Sequence, residues 1–143
     1  ETMKHIPNMK EKTLRYPGHI ALIQEYFNKG MFSKDNIKKT SKGLFKTWKL
    51  GDEEREFTLL KIIFESDTDI IKYSLYDEYD TVNKNSSMAR TTGFTATASI
   101  NLILNNFFTE KGVFPPEVVG ANKGCVNFIT SYLKDRGVLL RKV

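Results

Sequence analysis

One cysteine, Cys125, in 143 residues leaves no partner for an internal disulfide and fits a reducing compartment. The two histidines, His5 and His19, have no Cys or carboxylate at ligand spacing around them, so no metal site is expected. No apolar run approaches the length of a membrane span, and no charged start followed by an apolar core marks a signal peptide. A cytoplasmic chain without a membrane partner is the expectation. HExxH, GxSxG and Walker sequences are missing. So is a GxGxxG between a strand and a helix, which excludes a self-contained dinucleotide-binding fold.

What is present is enough for one real core: 40% of the residues are hydrophobic and 12% aromatic. The formal charge of +5 is spread along the chain and interleaved with acids, as in "KLGDEEREF". That pattern predicts a solvated, mildly basic surface and no nucleic-acid footprint. The chain starts at Glu1, and "ETMKHIPNMKEK" has no clean period, so it is expected to start partway through a larger protein.

Along the chain, "KTLRY" reads as a short extended piece, after which Pro17 and Gly18 turn into an amphipathic helix over "HIALIQEYFNKG". Ile20, Ile23 and Phe27 lie on one side of it, and Gly30 is its stop. A short helix near Asp35 to Lys39 and a second from about Ser41 to Leu50 follow, the latter with Leu44, Phe45 and Trp48 on one face and Gly51 as its end. "REFTLLKIIFES" and "DIIKYSLYDEYDTV" form a hairpin turning at Asp67 and Thr68. The first strand, apolar on both faces, is expected to be an inner strand covered by helices. The second alternates, with Ile71, Tyr73 and Leu75 opposite Lys72, Ser74 and Tyr76.

"SSMARTTGFTATAS" then starts a helix capped by Ser86 or Ser87, although threonine and glycine are weak helix formers. Ala96, Ile100, Ile103, Leu104 and Phe107 form its expected stripe. A loop over "TEKGVFPPEVVG" leads to a last helix with Cys125, Phe128, Ile129, Tyr132 and Leu133 at helical spacing, closed by Gly137. "VLLRKV" reads as a final strand or tail. Cys125 on that stripe is read as packed, not nucleophilic. "YDEYD" is read as a solvated strand end, because its carboxylates alternate across two faces.

Two stretches gather donors suited to a carboxylate. "KTLRYPGH" places Lys12, Arg15, Tyr16 and His19 around a turn into a helix with free backbone N–H groups. The alternative there is an Arg15 paired with an acid and a Tyr16 packed in the core. "SSMARTTG" sets Arg90 in a first helical turn beside Thr91 and Thr92, where the helix dipole opposes a cation unless an anion or another domain compensates. The alternative there is a simple surface turn.

"EKTLRYPGH", "YDEYD", "SSMARTTGFTATAS" and "GVFPPEVVG", in this order and spacing, resemble the C-terminal portion of saccharopine dehydrogenase and its relatives across nearly the whole chain. The resemblance implies an α/β (α+β) fold, a mixed β-sheet with helices packed on it, as a fragment of a two-domain Rossmann-type dehydrogenase. It implies pyridine-nucleotide-dependent oxidoreduction of a secondary amine in lysine metabolism, in which hydride removal gives an imine that water cleaves. NAD or NADP would bind the missing Rossmann domain, with no cofactor on this fragment, which alone would be inactive. Arg15, Tyr16, His19, Arg90, Thr91, Thr92 and Gly93 are carried over as candidates for contact with a saccharopine-like, amino-acid-derived substrate or for the domain interface. A homodimer is the expected assembly. A carboxynorspermidine dehydrogenase-type relative and a stand-alone amino-acid-binding or dimerisation module are the other readings. On the module reading, the parent reading frame would start close to Glu1. In the interdomain reading, Gly93, Ala96 and Ala98 permit close backbone approach and the threonine hydroxyls bond across the contact.

Overall fold

A computed structural model describes residues 2–51 and 54–143. The chain divides into two compact units, one within residues 3–51 and the other within 54–143. In the first unit, "KTLRY" has no ladder partner among the described residues, so the expected extended piece is not a strand. The turn holds, with the His19 N–H donating to the Tyr16 carbonyl at 3.2 Å and Gly18 at φ 88° where a side chain would be strained. Helix α1, His19–Asn28, follows. Its apolar stripe is less covered than its pattern suggests: Ile20 and Phe27 are exposed and Ile23 is half-buried.

Where two helices were expected between Asp35 and Leu50 there is one, α2, Ile37–Thr47. Thr40 does not interrupt it: its N–H continues the helix to the Asn36 carbonyl at 2.9 Å, and its hydroxyl donates to the Met31 carbonyl at 2.6 Å. That bond fixes α2 to the connection after α1 and makes Thr40 the buried residue of the helix. The Phe32 ring stands 4.8 Å from Phe27 and 6.2 Å from Tyr26 and closes the same corner.

The hairpin of the second unit forms as read. Strand β1, Phe57–Glu65, pairs antiparallel with β2, Ile70–Glu78, from Phe57↔Glu78 to Glu65↔Ile70. Ser66 closes the turn, its hydroxyl accepting the Asp69 N–H at 3.0 Å. Strand β3, Leu140–Lys142, pairs antiparallel with β2, giving the order β1-β2-β3. The fold is α+β, helices with a three-stranded antiparallel sheet. β1 is nevertheless an edge strand, not an inner one, and Phe57, Leu59, Leu60, Ile63 and Phe64 are exposed. Leu75 and Asp77 are the buried residues of β2, and much of β1 is open.

The next helix starts at Ser87 and passes through a π-helical turn, Ala89–Gly93, before continuing as α3, Phe94–Leu104. The Ser86 hydroxyl accepts the Ala89 N–H at 3.0 Å, the cap its sequence promised. The expected stripe is out of phase, because Ala98 and Leu102 are buried while Ile100, Ile103, Leu104 and Phe107 are exposed. Apolar residues ring this helix, so periodicity alone does not choose its face. Part of the expected loop is helical as well: α4, Pro116–Ala121, uses Pro116 in its first turn. Helix α5, Cys125–Lys134, packs on α3, and the core holds Leu102, Phe108 and Cys125 with Phe114, Val119, Phe128 and Ile129 around them. Cys125 is fully buried, as expected, and Gly137 ends the helix region at φ 78°.

Candidate functional site

Arg90 is the organising residue of the second unit. It lies on the π-helical turn, where one extra residue per turn re-aims side chains relative to the regular helix. Its Nε donates to both Asp77 carboxylate oxygens at 3.2 Å, and Nη2 donates to Asp77 Oδ1 at 3.1 Å. Nη1 reaches Asp80 Oδ2 at 3.1 Å, and Nη2 also donates to the Arg136 carbonyl at 3.2 Å. One guanidinium thereby joins the end of β2, the loop after it and the end of the α5 region. The Phe94 ring lies 5.8 Å beneath it.

The partners of Arg90 are themselves fixed. Asp77 is buried, and its backbone carbonyl accepts the Ser87 hydroxyl at 2.8 Å, a group that lies 2.8 Å from Thr58 Oγ1 as well. Asp80 Oδ1 accepts the Val82 and Asn83 N–H groups at 2.9 and 3.0 Å, and Oδ2 accepts Asn83 Nδ2 at 2.9 Å. The Asn83 side chain, then the Asn83 and Val82 backbone donors and the nearby Arg90 charge, hold the Asp80 carboxyl below its ordinary 3.8. "YDEYD" is therefore not simply a solvated strand end. Two of its carboxylates supply the anions that the helix-start cation calls for.

A shallow depression of about 430 Å³ is lined by Tyr76, Asp77, Glu78, Asp80, Arg90 and Gly137. With three carboxylates around one guanidinium, and four of the five guanidinium N–H donors engaged, it is a structural clasp and no free anion receptor. No group of three or more His, Cys, Asp or Glu poised for a metal ion occurs among the described residues.

The other candidates of this stretch lie beside the clasp. Thr91 Oγ1 donates to the Ser87 carbonyl at 2.9 Å, and Thr95, Thr97 and Ser99 likewise bond carbonyls of their own helix. These hydroxyls thus donate to carbonyls of their own helix. Thr92 and Gly93 are exposed, and a Cβ built on Gly93 meets open space.

In the first unit, Arg15 and Tyr16 are exposed and flank the turn into α1. Arg15 Nη1 donates to the Leu14 carbonyl at 3.1 Å, and the 74% exposure of Tyr16 removes the reading in which it packs in the core. The His19 ring is half-buried, 5.3 Å from that of Trp48. Arg15, Tyr16 and His19 therefore share one turn, and Arg90, Thr91, Thr92 and Gly93 share another. Sequence reasoning missed Asp77, Asp80 and Ser87 as members of the site. The uncompensated cation at Arg90 was a signal that could have found them, since "YDEYD" is the nearest acidic run.

Every strand pairing among the described residues is antiparallel, so their sheet holds no βαβ crossover of the Rossmann kind. No curated protein matches the chain. Comparison with protein families matches residues 1–138 to the saccharopine dehydrogenase C-terminal domain, a dehydrogenase-related domain. The chain belongs to the saccharopine dehydrogenase C-terminal domain family.

Proposed function

We propose that this chain is the substrate-side and dimerisation portion of an NAD(P)-dependent oxidoreductase that acts at the secondary amine of saccharopine in lysine metabolism. The family match over residues 1–138 carries the reading. The nucleotide belongs to another domain of the full-length protein, and this chain alone does not turn over.

Within that division of labour, Arg15 is the carboxylate-binding candidate, because its guanidinium is exposed and stands beside Tyr16 at a helix start. Arg90 is a positioning residue. It spends its charge on Asp77 and Asp80 and thereby sets the surface of Thr92 and Gly93 that an adjoining domain would meet.

The test is a substrate panel on the full-length enzyme, followed by reduced-nucleotide absorbance. Saccharopine oxidation is expected, with Arg15→Met raising KM about ten- to a hundredfold, the scale of one charge-assisted contact. Activity confined to a carboxylated polyamine, or turnover by the isolated chain, overturns the reading.

A further inference from the structure

We infer that α2 is a peripheral docking surface for an anionic lipid bilayer. The helix is cationic along one side and apolar along the next. Lys38, Lys42 and Lys46 follow at four-residue steps and are all exposed, with Lys34, Lys39 and Lys49 adjoining them. Asp35 is the sole acid from Lys34 to Lys49, and no salt bridge to these lysines occurs among the described residues. Like charges at that spacing repel one another on a helix, a cost that an anionic surface relieves.

The apolar side is open too. Thr40 and the half-buried Leu44 face the rest of the unit, while Ile37, Phe45 and Trp48 remain 44%, 76% and 46% exposed. An exposed aliphatic and aromatic strip beside a lysine strip is the arrangement of a helix lying in the plane of a membrane interface. Lysine is the sole cation of α2, whereas planar, bidentate recognition of nucleic-acid phosphates and bases favours arginine. The expectation of no membrane partner rested on the lack of a spanning segment, and no helix among the described residues is long and apolar enough to cross. Lying on a bilayer needs no such length.

Trp48 is the only tryptophan of the chain, so its emission reports on this face. The chain is titrated with phosphatidylcholine vesicles with and without phosphatidylserine. A blue shift and protection from acrylamide with the anionic vesicles, reversed by high salt, are expected. The exposed triple variant Lys38→Gln/Lys42→Gln/Lys46→Gln should lower partitioning about a hundredfold at juxtamembrane lysine strengths. No shift with anionic vesicles overturns the proposal. So does an equal shift with neutral vesicles, a shift on raising protein concentration alone, or one seen with a single-stranded polynucleotide and not with vesicles. None of these readouts depends on catalysis, so they stand apart from the oxidoreductase reading.

Discussion

Removing the Arg90 guanidinium strands Asp77, whose side chain is only 3% exposed, against β2 with no cation. Loss of one partner of a buried pair costs far more than the pair is worth against an apolar replacement. Arg90→Met is expected to destabilise the protein by about 3–5 kcal/mol in urea unfolding, with Arg90→Lys intermediate because it loses the fork geometry. The same clasp has an acid limb. Asp80 is depressed in the folded state, so its contribution is present above its unfolded value and is lost as pH falls through the folded one. Stability should therefore fall below about pH 4 in a way that Asp80→Asn removes, seen by thermal unfolding across pH. The need for an anion near Arg90 was legible in the sequence. The burial of Asp77 was not, because it follows from a contact thirteen residues away on another element.

At the scale of elements, the hairpin was the most readable part. Its β-branched and aromatic runs flank a polar turn, and nothing competes with that pairing. The helix after Ser86 was legible as a helix and illegible in phase, since apolar residues surround it and a π-helical turn precedes it. The phase has a direct check. Leu102→Ala should cost about 2–5 kcal/mol, while Ile100→Ala, on the stripe that periodicity favoured, should stay within about 0.5 kcal/mol. Equal losses in chemical denaturation would show that the buried face is drawn wrongly. The merging of two expected helices into α2 has a similar cause: Thr40 lies between the two expected spans, and its tertiary bond to Met31 anchors it within one continuous helix.

On the scale of the whole molecule, apolar residues lie uncovered on the sheet, among them Leu59, Ile63, Ile70 and Tyr76 on one face. Patches of this kind mark interaction surfaces. The proposed homodimer would bury this face, and Ile63→Lys is expected to shift the mass found by light scattering from dimer to monomer. A wild-type monomer at high concentration refutes that assembly. Composition could not reveal which strand lies outermost, because a strand apolar on both faces reads the same whether a helix, another copy or solvent stands beside it. For β1 this exposure carries a further consequence. Between Glu56 and Glu65, Lys61 is its single charge, set amid "FTLLKIIF", a segment whose free main-chain groups could template cross-β stacking. Lys61 thus stands at a gatekeeper position, where its charge would repel its own image across any fibril seam, and Lys61→Ile is expected to raise thioflavin-T-positive aggregation.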